Sequence, residues 1–198
     1  MLKIAIIVGS TRPNRKADVV AKWVYDFADK RNDANYDVVD LRDHPLPLLD
    51  EPFPPSLGKY THEHTKAWSK VVAQYDAYVF ITPEYNHSIS GALKNAIDFV
   101  YHEWTNKAAG FVSYGSTGGV RAVEHLRGIC AEVQIADVRA HVSLNLLTDW
   151  ENYTVFKPGD KHDRQLTTML DQLNAWGQAM KDLREKQAKA AATPQKAA

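Results

Sequence analysis

The sequence predicts a three-layer α/β sandwich around a five-stranded parallel sheet. Three observations carry this reading. Five short apolar runs alternate with five segments of helical periodicity, the pattern that yields parallel strands and right-handed crossovers. The first run, LKIAIIVGS over Leu2–Ser10, is almost wholly apolar and β-branched, as a strand buried on both faces must be. A chain of 198 residues with 44% hydrophobic side chains suits one domain with a sizeable core.

The elements follow in order. After the first strand, Val20, Trp23, Val24 and Phe27 recur at helical spacing, and Pro13 suits a helix start. Tyr36–Leu41 is a short second strand. Residues 42–59 hold five prolines and little periodicity, which reads as a long excursion within the domain. Trp68, Val71, Val72 and Tyr75 mark a second helix, and Ala77–Thr82 a third strand. Ile89, Leu93, Ala96, Ile97, Val100 and Trp104 line a third helix, and Ala108–Tyr114 is a fourth strand. Val123, Leu126 and Cys130 follow at helical spacing. Val138–Leu144 alternates, with Arg139, His141 and Ser143 on one face, as an edge strand would. Leu166, Met169, Leu170, Leu173 and Met180 define the last helix. The domain is expected over residues 1–187. Residues 188–198, rich in Ala and Lys, form a tail that is either a frayed helical extension or disordered.

Composition removes several functions. The 24 basic and 24 acidic side chains cancel, so a broad grip on nucleic acid or on an anionic membrane is not expected, and an anionic ligand must be caught locally. No apolar run approaches the roughly 18 residues of a membrane span. Met1–Gly9 lacks a basic start and a cleavage site, so it reads as a strand and not a leader. A single cysteine, Cys130, permits no internal disulfide and fits a cytoplasmic setting.

Three strand ends carry unusual loops: GSTRPNRKA after the first, TPEYNHS after the third and SYGSTGG after the fourth. In the flavodoxin-like order 2-1-3-4-5 these strands are neighbours, and ligands sit beyond the carboxyl ends where strand order reverses. The first loop suits a phosphate. Gly9 permits a tight turn, Ser10 and Thr11 supply hydroxyls, Arg12, Arg15 and Lys16 supply charge, and the helix that follows points N–H groups outward. A solvated basic turn is the competing reading. In the second loop, Pro83 stops the strand, Glu84, Tyr85 and Asn86 cross its end, and Ser88 or Ser90 caps the next helix. A planar heterocycle fits against Tyr85; the plainer reading is a βα turn with an exposed tyrosine. The third loop has three glycines in Gly115–Gly119, which lets backbone approach a flat ligand closely or merely makes a flexible turn.

Together GSTRPNR, TPEYNHSISGALKNAIDF and SYGSTGG resemble the NADPH-dependent FMN reductase family, flavodoxin-like flavoproteins that include quinone, chromate and azo-dye reductases. The resemblance implies an FMN whose phosphate lies on Ser10, Thr11, Arg12, Arg15, Lys16 and Ala17. It places the isoalloxazine between Pro83, Glu84, Tyr85, Asn86 and Tyr114, Gly115, Ser116, Gly118, Gly119. A backbone N–H of the Glu84–Asn86 segment would lie near flavin N5 and the glycine-rich turn near N1 and O2, where fixed donors stabilise the charge of the reduced ring. Many members have a Ser/Asn-rich phosphate loop; here Asn14, Arg15 and Lys16 follow Pro13, which leaves open which of Arg12, Arg15 and Lys16 touches phosphate.

The implied reaction is two-electron, ping-pong transfer from NADPH or NADH to a small-molecule electron acceptor. No side chain is assigned as obligatory for catalysis, and Tyr85 and His87 are candidates either to guide the second substrate or to help protonate it. The resemblance also implies a homodimer, sometimes paired into a tetramer. Phe99, Tyr101 and Trp104, or the proline-rich segment Asp43–Leu57, would meet the partner, unless they pack locally.

Other readings are weaker. On a helix, His62 and His64 point apart, whereas paired metal ligands lie one turn apart. Cys130 falls on an apolar stripe, as an inert core thiol does. Ser116 lacks the glycine two residues earlier that a hydrolase elbow requires, since Tyr114 stands there. A phosphoacceptor domain would carry acidic residues where Ser10, Thr11 and Arg12 stand. A non-enzymatic electron carrier shares the fold, but an Arg-rich loop and zero net charge favour an enzyme, and a flavin-binding sensor is the third class.

Overall fold

The structure is a computed structural model that describes residues 1–192. Strands β1 (Lys3–Val8), β2 (Asn35–Asp40), β3 (Ala77–Pro83), β4 (Lys107–Gly115) and β5 (Ile135–Asn145) form a wholly parallel sheet. Their order is β2-β1-β3-β4-β5, the flavodoxin-like arrangement. Pairing brings Val8 level with Ile81, and Pro83 level with Tyr114, so β1, β3 and β4 end side by side. That register creates one common edge for three loops.

Two cores explain the continuous apolar runs. On one face, Ile4, Ile6 and Val8 of β1 pack with Val79 and Ile81 against helices α1 (Ala17–Asp29) and α5 (Asp160–Ala192). On the other, Ala5 and Ile7 pack with Tyr78, Phe80 and Phe111 against α2 (Glu63–Ala73), α3 (Gly91–Asp98) and α4 (Val120–Glu132). Successive strand residues therefore bury opposite faces, and each large apolar side chain so buried contributes about 1.5–3 kcal/mol.

Several boundaries differ from expectation, each for a tertiary reason. The third helix ends at Asp98, and Val100 and Trp104 lie beyond it, although both are buried. Trp104 is held in a turn, where its indole N–H donates to Ile97 O at 3.1 Å, and this burial imitates helical spacing. Pro13 does not open α1: left-handed Asn14 (φ 53°) intervenes and the helix begins at Ala17. β5 starts three residues earlier than expected because it bulges. Asp137 faces Ala109 and His141 faces Phe111, so three residues stand opposite Gly110. Arg127 satisfies the displaced carbonyls of Val138 and Arg139, and Gln172 accepts from Ala140 N at 2.9 Å.

A hairpin of β6 (Trp150–Glu151) and β7 (Val155–Phe156) follows β5 and was not foreseen from periodicity. The proline-rich excursion contains short 3-10 turns at Leu41–Asp43 and Pro55–Leu57 and leaves Leu48, Leu49, Phe53 and Leu57 exposed. Phe99 and Trp104 are fully buried in their own chain, so neither presents a face to a partner. Helix α5 passes residue 188 without a break, and 193–198 of the expected tail lie outside the described residues. Among the described residues, no helix is long and apolar enough to cross a membrane.

Candidate functional site

The three loops meet. Gly9 N donates to Ile81 O at 2.9 Å, and Ser10 Oγ shares a hydrogen bond of 3.0 Å with Tyr85 Oη, which joins the first loop to the second. Glu84 N donates to Tyr114 O at 2.9 Å, and the Glu84 carboxylate pairs with Arg121 and accepts from Arg121 N at 3.2 Å, which joins the second to the third. Ser90 caps α3, accepting from Leu93 N at 3.1 Å, and its hydroxyl also donates to Gly9 O. Gly9 has no room for a side chain, since a Cβ there would stand 2.8 Å from Ile81 O. All fifteen residues singled out from sequence thus lie on, or directly after, the carboxyl ends of β1, β3 and β4.

Within the first loop the three cations separate. Arg15 turns inward, with its side chain only 1% exposed. Its Nε and Nη2 donate to Asp18 Oδ1 at 2.8 and 2.5 Å, its Nη1 to Asp40 Oδ1 at 2.9 Å and to Ser10 O, and its Nη2 also to Asp40 Oδ2. All five guanidinium N–H groups are thereby used. Burial pushes Asp40 toward protonation, but Arg15 and Arg42 outweigh it and hold the carboxyl at about 2. Lys16 donates to Tyr153 O. Arg12 is exposed, and among the described residues its guanidinium has no partner. Thr11 is also exposed and Ala17 is buried at the first turn of α1, which no side chain among the described residues caps.

The second loop makes a strained turn. Tyr85 and Ser88 exchange backbone hydrogen bonds of 2.9 and 3.2 Å around Asn86 and His87, both left-handed at φ 49° and 74°. Asparagine tolerates this conformation well and histidine less so, and strain of this kind clusters at functional sites. His125 braces the turn from α4, its Nδ1 2.9 Å from Ser88 Oγ. Pro83 is buried at the last position of β3.

The third loop is braced from β5. Leu146 N donates to Gly115 O and Asn145 Nδ2 to Ser116 O, each at 3.0 Å. Gly118 and Gly119 are left-handed at φ 78° and 76°, and a Cβ would collide with Ser143 Oγ at the first and with Ser113 Cβ at the second, so conformation and space both favour glycine. Tyr114 is buried beside Ser10, its hydroxyl in no hydrogen bond of ordinary geometry among the described residues, and burial pushes its pKa up. Arg121 Nε is likewise buried and, among the described residues, unpartnered. Asp40, Asp18, Arg121, His125 and Asn145 escaped sequence reading. The one local signal was the Arg15–Asp18 spacing, three apart at a helix start.

Residues outside the cluster behave otherwise. His62 and His64 do not point apart: their rings stack at 5.2 Å, because extended His62 precedes the helix, and both address Asp50. Cys130 is buried, and burial raises its thiol pKa. A groove of about 930 Å³ lies along the β5 edge between Arg127, Arg139, Arg164 and Trp176 and shares no residue with the three loops.

Comparisons with known proteins agree with this fold. The sequence profile described as NADPH-dependent FMN reductase matches residues 2–149. An NAD(P)H-dependent FMN reductase of Schizosaccharomyces pombe is 39% identical over 149 residues, covering 74% of each chain. A 2-hydroxy-1,4-benzoquinone reductase of a Burkholderia species is 34% identical over 143 residues, covering 68% of this chain and 73% of that one. Among solved structures, the flavoenzyme NAD(P)H:(acceptor) oxidoreductase FerB from Paracoccus denitrificans superposes with a TM-score of 0.71 at 21% identity, over 91% of this chain and 99% of that one. That likeness shows the fold.

Proposed function

We propose, since the chain belongs to the NADPH-dependent FMN reductase family, that it passes two electrons from NADPH or NADH to a small quinone-type acceptor in two separate half-reactions. The single observation that carries this is the convergence of the loops through Ser10–Tyr85 and Glu84–Arg121 onto one sheet edge.

The residues present fit FMN. The Arg12 guanidinium, free among the described residues, and the uncapped first turn of α1 offer donors to a phosphate. The buried Tyr114 hydroxyl and Arg121 Nε, unpartnered among the described residues, beside the glycine backbone of Gly115, Gly118 and Gly119, offer polar and flat surface to a ring. In this reading Ser10, Thr11, Arg12, Lys16 and Ala17 hold the phosphate region, and Pro83–Asn86 with Tyr114–Gly119 hold the isoalloxazine. Bound FMN supplies the two-electron carriage between donor and acceptor. The protein supplies the rest: the Glu84 and Ser88 braces fix the donors of both ring loops, so that developing charge meets dipoles already in place. Tyr85 and exposed His87 flank the position from which a second substrate approaches.

The proposal covers one domain over 1–187 in a cytoplasmic homodimer or tetramer. The dimer rests on the exposed Leu48, Leu49, Phe53 and Leu57, and sedimentation of Leu48→Lys checks it. The main test is spectral and kinetic. Purified protein carries a yellow FMN band that NADPH bleaches without air and a quinone restores, and double-reciprocal plots with both substrates varied are parallel. A colourless protein that takes up no FMN, or intersecting plots, refutes the reading at the level of cofactor or of mechanism respectively.

A further inference from the structure

The first loop carries three cations, and the structure separates one of them from the ligand side. From this we infer that Arg15 is a positioning residue that holds the phosphate loop from beneath, while Arg12 supplies the charge that meets the phosphate. The inference rests on the flavin reading above and names a division of labour within that site.

Three observations lead there. Arg15 has no donor left: Asp18, Asp40 and Ser10 O take all five. Its immediate network carries no surplus charge either, because Arg42 joins the same two carboxylates, at 3.1 Å from Asp40 and 2.9 Å from Asp18, and two cations balance two anions. A neutral cluster gives an incoming anion little net pull. Within the loop itself the local backbone support is thin, a long bond of 3.4 Å from Arg12 N to Ser10 Oγ. Asn14 is left-handed and α1 begins without a side-chain cap, so its first N–H groups stay open. The guanidinium ties the loop from inside instead, binding Ser10 O at the start of the loop to Asp18 beyond its end and to Asp40 at the end of β2, and leaves those N–H groups open. A loop fixed in advance binds its ligand without the ordering cost that a free one incurs. Arg12 stands on the solvent side of the same loop with its guanidinium uncommitted among the described residues.

The test compares FMN with riboflavin, which lacks the phosphate, and also follows the flavin-free protein. Arg15→Met lowers FMN affinity about tenfold and leaves riboflavin affinity within about threefold. It also speeds amide hydrogen exchange across residues 10–17 before any flavin is added. Arg12→Met lowers FMN affinity too but leaves that exchange unchanged, as a contact residue does. Should Arg15→Met fail to fold, Asp40→Asn removes the negative charge and one of the two acceptor oxygens while keeping the buried Arg15 stem, and is read by the same two measurements. Arg15→Met that weakens FMN with loop exchange unaltered makes Arg15 a direct contact and overturns the assignment. So does an unchanged ratio of FMN to riboflavin affinity. Wild-type protein that binds neither flavin sinks the flavin reading itself, and the positioning role with it.

Discussion

Gly119→Ala is the sharpest probe of the third loop, because the structure sets its cost. At φ 76° an alanine enters the left-handed region, at roughly 1–2 kcal/mol. The new Cβ would lie 2.7 Å from Ser113 Cβ and 2.8 Å from Tyr114 N, and neither can rotate away, since one belongs to a central strand and the other is backbone. Overpacking of this kind costs roughly 1–3 kcal/mol. Loss of glycine's freedom in the unfolded chain returns roughly 0.4–1 kcal/mol. The net is a loss of about 3 kcal/mol. Gly128→Ala supplies the control, being the same chemical change in the middle of α4 with nothing within 4 Å of the added carbon. It should stabilise by about 0.5–1 kcal/mol through helix propensity.

Urea unfolding at fixed pH, followed by tryptophan fluorescence, reads both variants. With a slope of roughly 2 kcal/mol per molar, the midpoints should separate by about 2 M. Gly119→Ala should also weaken FMN binding, and Gly128→Ala should not. A Gly119→Ala protein within about 0.5 kcal/mol of wild type would falsify the reasoning, since the loop would then be free to move where the structure packs it.

Three further outcomes follow from particular groups. Ser90→Ala removes the α3 cap and strands Gly9 O, for a loss of about 2–4 kcal/mol by chemical denaturation; a loss below about 0.5 kcal/mol contradicts the link between α3 and the first loop. Burial and nearby Arg184 lower Lys107 to about 7, so the unfolded chain binds a proton there that the folded chain releases. Stability should therefore rise with pH from 7 toward 9, and Lys107→Met should flatten that rise; an equally steep rise in the variant rejects the assignment. Asp40, held at about 2, is the opposite case: its contribution is present above pH 4 and lost as pH falls toward 2. Asp40→Asn should shrink the fall in stability over that window, measured by unfolding at each pH, and an unaltered acid limb counts against the Arg15–Asp40 pair.

What was legible in the sequence, and what was not, divides along one physical line. Strand order, the two-faced burial of β1 and β3, and the three loops at one edge were readable because each follows from a local run and a general handedness rule. The end of α3 was misread because Trp104 satisfies helical spacing by packing and not by helix formation. The β5 bulge was invisible because its exposed carbonyls are satisfied by Arg127 from α4 and its N–H by Gln172 from α5.

The first loop shows the limit most clearly. GSTRPNRKA places three cations within five residues and gives each an equal claim on an anion. Their roles differ only because Asp40, 25 residues away in sequence, ends the neighbouring strand beside the loop and draws Arg15 inward. A pairing register decides that, since Val8 at the end of β1 stands opposite Asp40 at the end of β2. Charge in a motif therefore states that an anion site is possible, whereas the direction each charge faces is a property of the sheet beneath it.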